Sequence, residues 1–318
     1  MQVDRTANLR MSDRARLSYA LVTPARDEAD NLRRLAGSLL NQDALPVAWV
    51  VVDNGSTDAT YDVVSSLAQA HDWIEVLSSP SARTAQPGTP IVRAVHAGLA
   101  RVPRVDVVVK LDADVSMGPE YFAALLAAFE SDPKLGIASG ECYEEHDGKW
   151  IPTHVTGSHV RGATRAWRWE CLQAVLPLDD TVPCVEDLVD ELKATALGWH
   201  TGIVPGLRFC HHRRVGERDG GSAVRWRWQG RAAYYVRYRF WYLMARSAFR
   251  ARRDPEALAM ISGYLRAAVS REPRCMDALV TRELHRRQRL RDLPMRAREA
   301  RGRRDFYDIR NKKALEEP

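Results

Sequence analysis

Asp112-Ala113-Asp114 sets two carboxylates one small residue apart, directly after the apolar run from Val105 to Leu111. At the end of a buried strand such a pair can point together at a divalent cation. A hard ion such as Mg²⁺ or Mn²⁺ held there also grips a diphosphate and stabilises the charge it gains as a leaving group. The bland alternative is that D-x-D is short and common. Asp53, after Trp49 to Val52, is placed to accept a hydrogen bond from a nucleobase imide, or merely to build an Asx turn with Asn54-Gly55. Asp27 and Glu28 follow the run Tyr19 to Thr23; they could hold ribose hydroxyls, or supply negative charge to the first turn of a helix.

These residues need elements that bring them together. Tyr19 to Thr23 stops at Pro24 and is followed by Leu32, Leu35 and Leu39 at helical spacing, which predicts strand, loop, helix. Trp49 to Asp53 repeats the pattern, with Ser56-Thr57-Asp58 as caps for a helix running to about Ala70. Ile74 to Leu77 predicts a short strand, Ser78 to Thr89 a polar loop, and Pro90 the first position of a helix. Val105 to Leu111 is the plainest strand of all, and a helix begins near Pro119. Alternation at this rhythm predicts a mostly parallel sheet covered by helices on both faces, with ligands at the carboxyl ends of the strands. The acidic residues all stand at those ends. From about Gly136 the strands become shorter, with helices near Trp167 to Val175 and Leu188 to Leu197.

With 45% hydrophobic and 28% charged residues over 318 positions, the chain has the profile of one globular domain with an appendage. The five cysteines (Cys142, Cys171, Cys184, Cys210, Cys275) show no C-x-x-C spacing, so a zinc or redox pair is not expected and a reducing cytoplasm is. No basic-then-apolar stretch opens these residues and no apolar run reaches about 18, so neither secretion nor a transmembrane anchor is expected. The net charge of +6 hides an excess of about +15 between Arg225 and Arg304, with the remainder mildly acidic. The two parts are therefore expected to meet different partners.

Taken together, Thr23-Pro24-Ala25-Arg26-Asp27-Glu28, Val51-Val52-Asp53-Asn54-Gly55-Ser56-Thr57-Asp58 and Leu111-Asp112-Ala113-Asp114 resemble the family 2 glycosyltransferases with the GT-A fold. Gly162-Ala163-Thr164-Arg165, Glu186-Asp187 and Gly198-Trp199 extend the resemblance to roughly Arg214. It implies an α/β GT-A catalytic domain over 19–221; the residues on either side add an N-terminal extension over 1–18 and, from their Arg-rich helical patterns, a basic helical region over 222–318. The implied reaction is inverting transfer of a sugar from a nucleoside-diphosphate sugar, a UDP-sugar first of all, to a hydroxyl of a glycan or lipid-linked acceptor in cell-envelope or polysaccharide synthesis.

The same resemblance assigns Asp53 to the base, Glu28 to the ribose, Asp114 to the metal and diphosphate, and Asp112 to the ribose or the metal. Pro24, Arg26 and Ala113 complete the nucleotide-binding positions. Asp187, in the Glu-Asp pair, falls where the family keeps the general base that takes the acceptor's proton. Asp180, Glu186, Asp190 and Glu191 crowd the same stretch, and Asp190 and Glu191 remain alternatives. One of His211-His212 could reach the cation, with His212 favoured; adjacent strand residues face opposite ways, so at most one does so. The family's Arg-Asn pair is replaced here by Val95-His96, with Arg93 nearby, and Lys110 is expected to neutralise the neighbouring aspartates.

The tail combines arginines with Trp226, Trp228, Tyr234, Tyr235, Tyr238, Phe240, Trp241 and Tyr242. These aromatics either pack tail helices onto the catalytic domain or suit the headgroups of an anionic membrane, peripherally at its inner face. No nucleic-acid motif accompanies the arginines. A nucleotidyltransferase should carry a Gly-rich loop after the first strand, and Pro24 to Asn31 has no glycine; a catalytically inactive nucleotide-sugar-binding protein of the same fold is the other alternative. A dehydrogenase is set aside for want of G-x-G-x-x-G.

Overall fold

The computed structural model describes residues 17–79, 89–146, 148–153, 159–181, 185–213 and 221–300. The expected N-terminal extension up to residue 16, most of the Ser78 to Thr89 loop, Cys184 and Arg214 lie outside these. The first half alternates as the sequence predicts: β1 (Tyr19–Ala25), α1 (Ala29–Leu40), β2 (Ala48–Asp53), α2 (Thr60–Ala70), β3 (Ile74–Ser78), α3 (Thr89–Leu99) and β4 (Val107–Leu111). There follow β5 (Val115–Met117), α4 (Tyr121–Ser131), β6 (Leu135–His146), β7 (Lys149–Pro152), β8 (Thr164–Arg168), α5 (Trp169–Val175), α6 (Glu186–Ala196) and β9 (His200–His211). The tail is helical: α7 (Ser222–Tyr235), α8 (Phe240–Ala251), α9 (Ala259–Val269), α10 (Ala278–Arg287) and α11 (Leu293–Ala300).

One sheet runs β3-β2-β1-β4-β8-β6-β9-β5, with β7 paired to β6. β3, β2, β1 and β4 are parallel. Beyond β4 the sheet turns mixed, because β8 enters antiparallel to both β4 and β6 while β6 and β9 are parallel. Alternate residues of each central strand feed two cores. Tyr19, Leu21, Trp49, Val51, Val107 and Val109 face α1, α2 and α4, while Ala20, Val22, Val50, Val52 and Val108 face α3, α5 and α6. A strand buried on both sides reads as a continuous apolar run.

Chain order reverses between β1 and β4. Their pairing ends at Val22 opposite Lys110, while β1 and β2 stay paired to Ala25 opposite Asp53. The edge of β1 beyond Val22 therefore faces a crevice, and this is why Pro24 lies within β1 instead of ending it: a residue lacking an N–H is tolerated where no neighbour needs it. Two further boundaries differ from expectation. Trp167 belongs to β8, and α6 begins at Glu186, which puts the Glu186-Asp187 pair in a helical first turn.

Three of the eight tail aromatics pack into the interior, whereas Phe240 is exposed. Trp226, Tyr234 and Tyr235 are buried; Trp226 Nε1 donates to Asp254 (2.6 Å) and the Tyr235 hydroxyl to Asp179 of the catalytic half (2.5 Å). The Arg274 guanidinium stacks on Tyr234, 4.3 Å from the ring centroid. α7 and α9 cross at two glycines: a Cβ on Gly230 would stand 2.0 Å from the Met260 carbonyl oxygen, and one on Gly263 2.1 Å from that of Arg227. Both obstacles are backbone and cannot swing aside. Gly263→Val is expected to cost on the order of 1–3 kcal/mol or more through overpacking, measured by urea denaturation followed through tryptophan fluorescence.

Candidate active site

Asp112 and Asp114 leave β4 at the crevice. Asp112 is fixed by its own N–H, which donates to the Ala163 carbonyl at 2.8 Å. Lys110 faces the α3 and α6 side, and its ammonium reaches Asp112 Oδ1 at 2.9 Å and the Gly162 carbonyl at 3.0 Å. Burial pulls the Lys110 pKa down, but the charges of Asp112 and Asp187 outweigh it and raise the pKa above its ordinary value. Lys110 therefore does neutralise Asp112, as the sequence suggested, and it stands between that carboxylate and Asp187.

Asp114 is held from β9, whose residue His211 pairs with Val115. His211 Nε2 lies 3.1 Å from Asp114 Oδ1. Burial pulls the imidazole pKa down, but the hydrogen bond to Asp114 leads the opposing effects, and the outcome is about 10. Two residues on, Arg213 reaches Asp114 Oδ2 at 3.2 Å and grips both oxygens of Glu28 at 2.8 and 2.7 Å.

His211, not His212, thus faces the acidic pair, and the expectation for His212 is corrected. The alternation of β9 turns His212 to the other side, where Nε2 sits 2.7 Å from the Ser116 hydroxyl and the ring meets Trp150 edge-on. Ligand atoms of Asp112, Asp114 and His211 lie within 4.8 Å of one another, and His211 also stands that close to Cys142 and Glu144 of β6. Two carboxylates with one imidazole fit a divalent cation such as Mn²⁺, whereas the set with the Cys142 thiol is softer.

The nucleotide positions line the other wall. Asp53, 5% exposed, ends β2; its Oδ1 accepts from Ser56 N–H at 3.2 Å, so the Asx turn is present at the candidate base contact. Asp27 adopts a left-handed backbone, φ 54°, and its carboxylate takes Thr57 N–H at 2.7 Å and the Thr57 hydroxyl at 3.1 Å. It braces the two loops against each other. Arg26 lies 3.9 Å from Asp27, Ala113 is buried beside the acidic pair, and Pro24 sits on the open edge of β1. Asp58 accepts from Ala29 N–H at 3.1 Å and Thr60 N–H at 2.9 Å, so it caps α1 as well as α2.

The crowded acidic stretch separates by partner. Asp190, 2% exposed, takes a bidentate grip from fully buried Arg165 (3.1 and 2.5 Å) and a hydrogen bond from Trp167 Nε1 (2.8 Å). Glu191 accepts from Val160 N–H at 3.1 Å and lies 3.0 Å from both His159 Nδ1 and Arg287 Nη1. Asp180 lies 3.4 Å from Arg93, and His96 Nε2 3.2 Å from the Leu178 carbonyl oxygen, so His96 of the pair at the family's Arg-Asn position, with Arg93 nearby, turns toward the segment before α6. Asp187 differs from Asp190 and Glu191. Its side chain is 28% exposed, with Arg165 Nε no closer than 3.8 Å, and Arg165 instead holds its backbone carbonyl at 2.8 Å. A Cβ on Gly162 would come 2.5 Å from Asp187 Oδ2, so any larger residue there would push the carboxylate aside.

Sequence reasoning missed Arg213 and the chemistry of Glu186. Glu186 has a buried oxygen, Oε2, with no hydrogen-bond partner among the described residues, and burial, then the neighbouring Asp187 charge, raises its pKa to about 7. A carboxyl that holds its proton near neutrality, next to one that is partly open to solvent, was signalled only by the adjacency of the two residues.

Residues 20–174 match the family described as glycosyl transferase family 2. That span contains Glu28, Asp53, Asp112 and Asp114, and ends before Asp187, His211 and Arg213. Among solved structures, mannosyltransferase PcManGT from Pyrobaculum calidifontis, in complex with GDP-Man and Mn²⁺, is similar at TM-score 0.56 and 16% identity over 90% of this chain and 85% of that one. GalNAc-T7 with UDP, GalNAc and Mn²⁺ gives 0.55 and 14% over 70% of this chain and 48% of that one, so the match spans about half of its length. TarS 1–349 of S. aureus with UDP-GlcNAc gives 0.52 and 16% over 70% and 67%. The chain is a glycosyltransferase with the GT-A fold, and residues 20–174, with the acidic strand ends, match family 2.

The anchor of α6 can be tested apart from any reaction. Asp190→Ala strands a buried guanidinium, and a loss of about 3–5 kcal/mol is expected in denaturant titrations. The pair Arg165→Met with Asp190→Leu should lie closer to wild type than Asp190→Ala does.

Proposed function

We propose that this family 2 glycosyltransferase transfers its sugar with inversion to an acceptor hydroxyl of a glycan or lipid-linked molecule. The observation that carries the reading is the convergence of Asp112, Asp114 and His211 within 4.8 Å at the mouth of the crevice, with Asp53 and Glu28 on one side of it and Asp187 on the other. Asp112, Asp114 and His211 would hold a divalent cation, Mn²⁺ before Mg²⁺ because of the imidazole; when bound, it supplies positive charge against the diphosphate leaving group.

Asp53 accepts from the base and Glu28 orients the ribose, once the donor competes with Arg213 for its carboxylate. Lys110 remains beside Asp112 as a fixed positive charge, which keeps two carboxylates and a diphosphate from repelling one another in a partly dry cleft. Asp187 takes the proton of the attacking hydroxyl. Its backbone is clamped by Arg165 while its carboxylate stays accessible, the combination a positioned base needs. Asp190 and Glu191 are spoken for by Arg165 and Arg287 and do not serve. A UDP-sugar is the proposed donor, in cell-envelope or polysaccharide synthesis at the cytoplasmic face of a membrane. The likeness to a GDP-Man complex brings GDP into the same test.

Calorimetric titration with uridine, thymidine and guanosine diphosphates, with and without Mn²⁺, should show one of them binding in a Mn²⁺-dependent manner, and Asp114→Ala should lose that dependence. Absence of binding by a folded protein would sink the donor site. With the donor identified, Asp187→Asn is expected to lower kcat by about 10²–10⁴ while diphosphate affinity stays within about twofold. A parallel loss of affinity would remove Asp187 from the role of base.

A further inference from the structure

Behind the acidic pair, β6 and β9 run parallel with Cys142 opposite Phe209 and Glu144 opposite His211. Cys142 and Glu144 are two residues apart on β6, so both turn to one face of the sheet, and the register brings His211 to that same face. One ligand atom from each of Cys142, Glu144 and His211 lies within 4.8 Å of the other two. The residues are 3%, 7% and 9% exposed, so water competes little for whatever they hold.

His211 is oriented as a metal-binding histidine is. Its Nε2 lies 3.1 Å from Asp114 Oδ1. Its Nδ1 is buried with no hydrogen-bond partner among the described residues, although the Cys142 thiol stands beside the ring. A buried polar atom left in that condition costs about 1–3 kcal/mol and calls for a water or an ion. A histidine that ligates a metal through one nitrogen characteristically donates its other N–H to a carboxylate, and Asp114 already stands in that place. Glu144 is not idle: Arg161 reaches its Oε1 at 3.7 Å, so an ion shares this carboxylate, and the thiol and imidazole carry the selectivity. Those two ligands suit Zn²⁺ far better than Mg²⁺ or Mn²⁺, which prefer oxygen.

We infer that Cys142 Sγ, a Glu144 oxygen and His211 Nδ1 form a second cation site, which takes a thiophilic divalent ion of the Zn²⁺ type, and that filling it withdraws His211 from the Mn²⁺ site. Binding releases the thiol proton and the Nδ1 proton, while the Nε2 proton stays between the imidazole and Asp114. A neutral imidazole has one lone-pair nitrogen, so a ring that gives Nδ1 to Zn²⁺ has none left for a cation on Asp112 and Asp114. Zn²⁺ at the thiol site thus opposes Mn²⁺ at the acidic pair. This opposition rests on the proposed Mn²⁺ site; binding at the thiol site does not.

Zn²⁺ is colourless, so Co²⁺ is the probe. Titrating the full-length protein with Co²⁺ under a phosphine reductant should give a saturable thiolate-to-metal charge-transfer band in the near ultraviolet, abolished by Zn²⁺ but not by Mg²⁺. Cys142→Ser should lose the band and weaken Zn²⁺ binding about tenfold or more; Cys142→Ala serves if the serine variant does not fold. In calorimetry, one equivalent of Zn²⁺ should weaken Mn²⁺-dependent diphosphate binding about tenfold or more in wild type and leave it unchanged in the folded Cys142 variant. No band, a band that survives in the variant, or equal suppression by Zn²⁺ in both proteins overturns the assignment. If the band is absent while a diphosphate still binds with Mn²⁺, the thiol site alone falls. A band lost with Cys142, but no diphosphate binding, removes the donor reading and leaves the second site standing.

Discussion

Glu28, Asp53, Asp112, Asp114, Glu186 and Asp187 are gathered at one end of a single sheet, and that much negative charge cannot stay in a partly dry crevice unless cations are built in beside it. The fold supplies them from three directions. Lys110 comes from within β4 itself, His211 and Arg213 from the end of β9, and Arg165 from β8 beneath α6. Each is brought in by strand pairing: β8 beside β4 aligns Arg165 with Lys110, and β5 against β9 sets His211 by Val115. The antiparallel half of the sheet exists, in effect, to deliver positive charge to the parallel half.

The same arrangement explains how α6 can carry both rigid and accessible carboxylates. Asp190 is consumed in holding the helix to Arg165 and Trp167, and Glu191 in receiving Arg287 from the tail. Asp187, one turn earlier and close against Gly162, keeps its side chain toward the cleft. A buried ion pair is weak evidence for net stability but good at fixing one arrangement among several, and here it fixes the register of the helix against the sheet. The tail belongs to this construction, since Arg287 contacts α6 directly and Tyr235 reaches Asp179.

The strands of the parallel half were legible because buried strands announce themselves as apolar runs, and the acidic residues were legible because each ends such a run. The choice between His211 and His212 was not, for alternation says that one of them faces the site without saying which; only the pairing of β9 with β5 decides. Arg213 lies 99 positions from Asp114 and 185 from Glu28, with no local pattern to mark it. Asp190 and Glu191 stayed open as alternatives to Asp187 because their partners, Arg165 and Arg287, are distant in sequence. The antiparallel entry of β8 was hidden for a different reason: a short strand buried on both faces reads alike in either direction. The tail's aromatic content left packing and membrane contact open, and the crossing of Gly230 with Gly263 that settles how α7 meets α9 depends on backbone approach, which composition does not reveal.

The central claim is that the positive charge now balancing Asp114, the Arg213 guanidinium and the proton on His211, gives way to a metal held by Asp114 and His211 with its diphosphate. The most direct measurement is a crystal structure of the protein grown with Mn²⁺ and whichever nucleoside diphosphate binds. The account predicts Mn²⁺ on Asp114 and His211, the diphosphate beside it, the base at Asp53, and Arg213 withdrawn from Asp114. Mn²⁺ on the Cys142 and Glu144 side of His211, or a nucleotide bound with Arg213 still bridging Glu28 and Asp114, would contradict it.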